Sequence, residues 1–215
     1  MIPTGLLGGS FNPAHRGHRH VSLSAIRALD LGELWWLVSP GNPLKAGASD
    51  MAPLAARLAS ARTMARRAPI RATAIEAKLG TRYTIDTLTH LVRRYPNRQF
   101  IWLMGADNLG QFHRWKDWRR IASLVPIAVI ARPGYDRPAR AIRAMGWLRQ
   151  FVRPPGQSRE WTRWRPPALV LLRFRPDTRS ATQARLADPH WYLTFQPPSA
   201  QPTPARDEVS RRTAS

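Results

Sequence analysis

Residues 2–18 of the chain read IPTGLLGGSFNPAHRGH. The apolar run over residues 2–7, followed by Gly8 and Gly9, is typical of a buried strand that enters a tight loop. Adjacent glycines allow backbone N–H groups to approach an anion, because no Cβ atom stands in the way. Apolar residues recur at three- to four-residue spacing over residues 18–29, so a helix is predicted after the loop. The order of strand, glycine turn and helix favours an anion site at this corner.

Two histidines stand where the predicted loop meets the predicted helix. His15 and His18 are three residues apart, so on the first turn of a helix they project from neighbouring positions. Imidazoles there can donate hydrogen bonds to phosphate oxygens, and the helix dipole favours negative charge at the same end. Gly17 leaves room for a nucleotide between them. The alternative is that both histidines only cap the helix, but the whole string favours a nucleotide site.

Strand-like and helix-like patterns alternate along the rest of the chain. Predicted strands cover residues 2–7, 33–38, 70–77, 100–104, 127–131 and 168–174. Predicted helices cover residues 18–29, 53–67, 84–94, 115–124 and 137–151. Thr84 is a candidate N-cap, and residues 153–167 are predicted to be an irregular loop. The alternation predicts an α/β domain with a mostly parallel sheet, whose ligands gather at the carboxyl ends of the strands.

Composition narrows the class of protein. A chain of 215 residues suits one domain that buries a substantial core. The absence of cysteine excludes disulfides, thiolate catalysis and cysteine-ligated zinc. No apolar run approaches the roughly 20 residues of a membrane span, and the first residues lack the pattern of a secretory signal. We therefore expect a cytoplasmic protein with no membrane association.

The formal net charge of +21 is distributed rather than concentrated. Lys45, Lys78 and Lys116 are the only lysines among 34 basic residues, which indicates a compositional bias towards arginine. This pattern favours a solvated arginine surface over a dedicated nucleic-acid partner, and its field also attracts anionic small molecules. Residues 196–215 have almost nothing to bury, so we expect a domain over residues 1–195 and a disordered tail.

The segment Gly8–His18 resembles the His-x-Gly-His nucleotidyltransferase superfamily, in the form seen in nicotinate-nucleotide adenylyltransferases. Four further segments are similar to family motifs in the same order: Pro40–Lys45, Arg82–Leu88, Gly105–Trp118 and Arg132–Gly134. Ordered motifs of this kind rarely co-occur by chance. The resemblance implies a Rossmann-like, doubly wound domain with helices on both faces of its sheet. It also implies transfer of the adenylyl group of ATP to nicotinate mononucleotide, giving nicotinate adenine dinucleotide and pyrophosphate in NAD biosynthesis.

The resemblance implies a role for each residue that matches a motif. Catalytic contacts to the ATP phosphates are expected from His15, His18, Lys45 and Arg185. Other nucleotide contacts are expected from Gly8, Gly9, Ser10, Phe11, Gly105, Asp107, Arg132, Ser180 and Thr182. Contacts to nicotinate mononucleotide are expected from Tyr83, Thr84 and Trp115, with the Trp115 indole stacked on the pyridine ring. Trp118 is expected to lie in the core.

The final motif departs from the family pattern. The family carries Ile-Ser-Ser-Thr-x-Ile-Arg, whereas this chain has Arg179-Ser-Ala-Thr-Gln-Ala-Arg185, and the helices that follow in the family are nearly absent. We therefore expect Arg185 to be held less firmly than in the family. Mg²⁺ is expected to accompany ATP, held by phosphates and water, so no protein ligand to a metal is predicted.

Three other interpretations stay open on the sequence. In the first, the chain is another adenylyltransferase of the superfamily, acting on nicotinamide mononucleotide or phosphopantetheine, although Tyr83, Thr84 and Trp115 argue against this. In the second, it is a non-catalytic, basic nucleic-acid-binding protein on the same fold. In the third, it is a degenerate enzyme with an altered last motif. The sequence also leaves the oligomeric state open, and a homo-oligomer is one of the possibilities.

Overall fold

The computed structural model describes residues 1–41, 51–131, 143–174 and 181–195. Its strands are β1 (Ile2–Gly9), β2 (Glu33–Val38), β3 (Ile70–Thr73), β4 (Arg98–Gly105), β5 (Ile127–Ala131), β6 (Val152–Arg153) and β7 (Leu169–Arg173). Its α-helices are α1 (Arg16–Leu29), α2 (Leu54–Ala65), α3 (Ile75–Leu79), α4 (Thr84–Arg94), α5 (Ala106–Gln111), α6 (Trp118–Leu124), α7 (Met145–Leu148) and α8 (Ala181–Ala187). Its 3₁₀ helices are Phe112–Arg114, Arg149–Phe151, Pro155–Arg163 and Trp191–Phe195.

Within the described ranges, the strands form one seven-stranded sheet in the order β3-β2-β1-β4-β5-β7-β6. Every pairing in it is parallel. The chain winds outward from β1 through β2 to β3, then returns to the middle of the sheet and winds the other way from β4. The carboxyl ends of β1 and β4 therefore mark a topological switch point, where a crevice opens between diverging loops. The predicted α/β, Rossmann-like, doubly wound sheet is confirmed.

Alternate residues of the strands supply two hydrophobic cores, one on each face of the sheet. On β2, Trp35 and Leu37 belong to the core that includes α4 and α6. Leu34 and Trp36 belong to the opposite core, with α1 and α2. These side chains are 0–1% exposed, so β2 is buried on both faces, as parallel strands between helical layers are.

The segment after β6 is more regular than predicted. Residues 155–163 form a 3₁₀ helix, not an irregular loop, and its Trp161 is 2% exposed. The Trp161 indole N–H donates to the Leu29 carbonyl at 2.8 Å, and the Ser158 hydroxyl donates to the Ala28 carbonyl at 2.8 Å. Both bonds join this segment to the end of α1, so it completes the core on that face.

Three other local predictions are wrong. The predicted strand over residues 70–77 ends at Thr73, because α3 follows and closes at Gly80 with φ 64°. The predicted helix over residues 115–124 begins only at Trp118, because Asp117 has φ 49° in the left-handed region. Thr84 is the first residue of α4; the cap position belongs to Tyr83, whose side chain makes no capping hydrogen bond.

Other predictions fall partly or wholly outside the described residues. The predicted helix over residues 137–151 is described from Arg143 and contains α7 and a 3₁₀ turn there. The predicted tail over residues 196–215 lies outside the described ranges. In the part of the chain that is described, no helix has the length and apolar character that crossing a membrane requires.

Gly8 is expected to be sensitive to a single methyl group. A Cβ atom on Gly8 would lie 2.8 Å from Cη2 of the buried Trp102 indole, whereas one on Gly110 would meet nothing within 4 Å. We expect Gly8→Ala to lower the free energy of unfolding by about 1–3 kcal/mol through overpacking. Gly110→Ala, the matched control, is expected to be neutral or stabilising because alanine suits a helix better. Urea denaturation measures both, and equal stability of the two variants would contradict the packing argument.

Candidate active site

A cleft of about 500 Å³ opens at the carboxyl edge of the sheet, at the switch point between β1 and β4. Its wall includes eleven of the residues predicted from the sequence, namely Gly8, Gly9, Ser10, Phe11, His18, Tyr83, Thr84, Gly105, Asp107, Trp115 and Arg185. Two other predicted residues, His15 and Thr182, are described but do not line the cleft. The remaining three, Lys45, Arg132 and Ser180, lie outside the described residues.

The glycine turn is shaped by the aromatic ring that follows it. Phe11 adopts φ 47°, in the left-handed region, and its side chain is 1% exposed. Its ring stacks on Trp36 with centroids 4.9 Å apart and packs against His18 with centroids 4.8 Å apart. A Cβ atom on Gly9 would lie 3.3 Å from the same ring. Phe11 therefore packs between Trp36 and His18 and helps to hold the His18 ring in place. The backbone of Gly8 and Gly9 lines the cleft.

His15 and His18 together cap α1. The Gly17 N–H donates to Nδ1 of His15 at 3.1 Å, and the His15 N–H donates to Nδ1 of His18 at 3.3 Å. The two rings lie 3.9 Å apart. A ring nitrogen that accepts from a backbone N–H carries no proton, so the neutral imidazole carries its proton on Nε2. Capping and phosphate binding are thus compatible, because they use different nitrogens of the same ring.

Arg185 reaches the cleft from α8 despite the altered motif. Its Nη1 donates to the Asn12 carbonyl at 2.7 Å, which joins α8 to the glycine turn. After α8, the 3₁₀ helix Trp191–Phe195 packs against α2, with Trp191 6% exposed. As predicted, the segment after α8 is short, and this 3₁₀ helix packs it onto the domain. Thr182, in contrast, is exposed on α8 and makes no contribution to the cleft wall.

The other half of the cleft is built around Trp115. Its indole meets Trp102 edge to face at 6.2 Å and Phe112 at 5.3 Å. Tyr83 and Thr84, at the start of α4, line the same region. Trp102 was not predicted as a site residue, since a tryptophan inside an apolar strand carries no local sign that it faces a ligand. Trp118, predicted to lie in the core, is partly buried and packs against it, with its ring centroid 5.7 Å from that of Phe112.

Three cations that were not predicted also line the cleft, namely Arg82, Arg114 and Lys116. The Lys116 Nζ lies 4.7 Å from the Tyr83 ring centroid and 3.4 Å from Oδ2 of Asp86. One feature of the sequence indicates that Lys116 belongs to the site: it directly follows Trp115, and lysine is rare in this chain. These cations give the cleft an electrostatic preference for anionic ligands.

Two carboxylates, Glu76 and Asp107, face the cleft as well. Burial raises the pKa of Glu76, although hydrogen bonds from Ser39 and Thr87 act in the opposite direction. Asp107 is exposed in the first turn of α5, where it can accept from a ligand hydroxyl. Among the described residues, no three His, Cys, Asp or Glu side chains converge as a metal site.

The sequence of this chain is similar to one protein family and to relatives that share one name. Residues 6–186 match the cytidylyltransferase-like family. A relative from Erythrobacter litoralis, named probable nicotinate-nucleotide adenylyltransferase, is 64% identical over 190 residues, covering 88% of this chain and 86% of the relative. A relative of the same name from Parvibaculum lavamentivorans is 50% identical over 184 residues, covering 86% and 91% of the two chains.

A solved structure has the same fold. Plasmodium falciparum nicotinic acid mononucleotide adenylyltransferase, complexed with NaAD, superposes with a TM-score of 0.64 at 15% identity. The superposition covers 86% of this chain and 83% of that one. At this identity the likeness concerns the arrangement of the sheet and its helices.

The capping geometry predicts different effects for two changes at His15. His15→Ala removes the acceptor for the Gly17 N–H, and we expect it to lower the free energy of unfolding by about 1 kcal/mol. His15→Asn keeps a short side-chain acceptor and is expected to retain most of that stability. Urea denaturation of the two variants and the wild type compares them. Equal losses for alanine and asparagine would show that the cap contributes nothing.

Proposed function

Because the chain belongs to the cytidylyltransferase-like family and, within it, to the nicotinate-nucleotide adenylyltransferases, we infer that it transfers the adenylyl group of ATP to nicotinate mononucleotide. The products are nicotinate adenine dinucleotide and pyrophosphate, in NAD biosynthesis. The observation that carries the proposal is a single cleft that joins a glycine turn and His18 at one end to Tyr83, Thr84 and Trp115 at the other.

The phosphate end supplies positioning and charge neutralisation. In the proposed reaction the 5′-phosphate of the mononucleotide attacks the α-phosphorus of ATP in line, a P–O bond forms, and pyrophosphate leaves. We assign the phosphates to the Gly8–Gly9 turn and the amino end of α1, where backbone N–H groups and the helix dipole favour negative charge. His18 donates through Nε2 to the transferring group, with His15 against its ring, and Arg185 offsets charge on the leaving phosphates.

The aromatic end selects the mononucleotide. We assign the pyridine ring to the Trp115 face, which Trp102 and Phe112 hold in place. The nicotinate carboxylate is assigned to the start of α4, where Thr84 lines the cleft and the Lys116 ammonium lies against the Tyr83 ring. A cation there favours a carboxylate over the neutral carboxamide of nicotinamide mononucleotide. Asp107 is assigned to a ribose hydroxyl.

Mg²⁺ as the metal and the cytoplasm as the location belong to the same proposal. We expect this cation to arrive with ATP and to be held by its phosphates and by water. Its contribution is to reduce the negative charge of the triphosphate. Lys45, Arg132 and Ser180 remain predicted contacts to ATP.

Pyrophosphate release tests the proposed substrate. We expect the wild-type chain, with ATP and Mg²⁺, to release pyrophosphate fastest with nicotinate mononucleotide and much more slowly with nicotinamide mononucleotide or phosphopantetheine. A different order would assign the chain to another acceptor. The nucleic-acid alternative predicts polynucleotide binding whose affinity falls steeply as salt is added, and no turnover with any mononucleotide.

His18 is expected to matter for turnover more than for folding. Because His18→Ala removes a donor to the transferring phosphoryl group, we expect kcat to fall by about 100-fold or more. His90→Ala is the matched control, since His90 is exposed on α4 and lies outside the cleft. Steady-state kinetics of the two variants, with circular dichroism to check folding, makes the comparison. Wild-type turnover in His18→Ala would refute its assignment.

Lys116 is expected to control the choice between the two pyridine mononucleotides. Lys116→Met removes one charge-assisted contact to the nicotinate carboxylate. The ratio of kcat/KM for nicotinate over nicotinamide mononucleotide should then fall by about tenfold. Lys78→Met is the matched control, because Lys78 is exposed on α3 and does not line the cleft. An unchanged ratio in Lys116→Met would assign carboxylate recognition to other groups.

A further inference from the structure

Arg57 is a buried cation directly behind the cleft. It lies on α2, its side chain is 1% exposed, and burial lowers its pKa. Its guanidinium donates to four backbone carbonyls: Nε to Ala52 at 2.8 Å, Nη1 to Ser10 at 2.8 Å and to Ser39 at 2.7 Å, and Nη2 to Pro40 at 3.4 Å. No carboxylate among the described residues forms an ion pair with it.

The four carbonyls come from three separate segments of the chain. Ser10 belongs to the turn after β1, Ser39 and Pro40 follow β2, and Ala52 precedes α2. Ser10 and Ser39 themselves line the cleft, whereas Arg57 does not. The Arg57 side chain therefore bonds to all three of these segments.

The same network extends to the predicted phosphate ligand on α8. The Ala52 N–H donates to Oδ1 of Asn12 at 3.2 Å, and Nη1 of Arg185 donates to the Asn12 carbonyl at 2.7 Å. Asn12 is 3% exposed, so it has little freedom to move independently. A displacement of Ala52 would pass through Asn12 to Arg185.

We propose that Arg57 is a positioning residue for adenylyl transfer: its planar fork holds the Ser10 turn, the end of β2 and, through Ala52 and Asn12, the Arg185 side chain in register around ATP. The inference rests on the proposed function, because it concerns the same cleft. Arginine is required because its guanidinium presents several donors in one rigid plane, whereas a lysine ammonium is a compact charge on a flexible stem. Small displacements of groups that position a substrate have large kinetic effects.

Two substitutions at Arg57 separate its geometry from its charge. Arg57→Lys keeps the charge and loses the fork, and Arg57→Met loses both. For Arg57→Lys we expect kcat/KM for ATP to fall by about 10- to 100-fold, with the folded fraction at the assay temperature unchanged by circular dichroism. The matched controls are Arg62→Lys and Arg62→Met, because Arg62 is exposed on the same helix. The controls are expected to retain wild-type kinetics.

Binding gives a readout that does not depend on the reaction. We expect the Kd for ATP with Mg²⁺, measured by calorimetry, to rise in Arg57→Lys by at least about tenfold. Should Arg57→Met fail to fold, Arg57→Lys still decides the question. Wild-type kcat/KM and Kd in folded Arg57→Lys would overturn the proposal. A wild-type chain that binds ATP but turns over no nicotinate mononucleotide would instead refute the proposed function.

A double-mutant cycle tests the connection to Arg185. If Arg57 acts through Asn12, the losses in kcat/KM for Arg57→Lys and Arg185→Lys should combine to less than their product, since the second change removes a side chain that the first has already displaced. Fully multiplicative losses would overturn the route to Arg185. A merely structural role for Arg57 would lower the melting temperature and leave the kinetics of folded molecules unaltered.

Discussion

The passage of the backbone between Trp102 and Phe11 is the constraint on which the rest of the site depends. The β1 strand ends beside the Trp102 indole, and Gly8 leaves no space there for even one methyl group. The chain then turns over the Phe11 ring, which lies in contact with Trp36 and His18. The outcome is a turn whose backbone can approach a phosphate and whose exit directs α1 at the cleft.

Because the turn fixes where α1 begins, it also determines how the two histidines can act. His15 and His18 each accept from a backbone N–H at the start of α1 through Nδ1, and these two hydrogen bonds help to orient both rings. The remaining nitrogen then carries the proton. In each ring, Nδ1 accepts a hydrogen bond from the end of the helix, and Nε2 can donate a hydrogen bond to a substrate.

Charge in the cleft comes from widely separated parts of the chain. Arg82, Arg114, Lys116 and Arg185 line it together with two carboxylates, and burial disfavours the anionic form of Glu76. Both substrates of the proposed reaction are anions, so an excess of cations assists their binding while the distributed positive field of the whole chain assists their approach. The buried Arg57 adds a further cation, bonded only to carbonyls among the described residues.

Local pattern was sufficient for the sheet, the glycine turn and the residues inside ordered motifs. Strands β2 and β5 were predicted to the residue, because each is an apolar run bounded by turn-forming residues, and eleven predicted site residues line one cleft. Local pattern was insufficient at α3 and Asp117, where short helices and a left-handed residue leave no periodicity to detect. Trp102, Lys116 and Arg57 emerged only from the folded chain, because their roles consist of contacts with residues distant in sequence, such as the 47 positions between Arg57 and Ser10. Spacing along a chain encodes which face a side chain takes, whereas its partners across the molecule depend on how the whole sheet is wound.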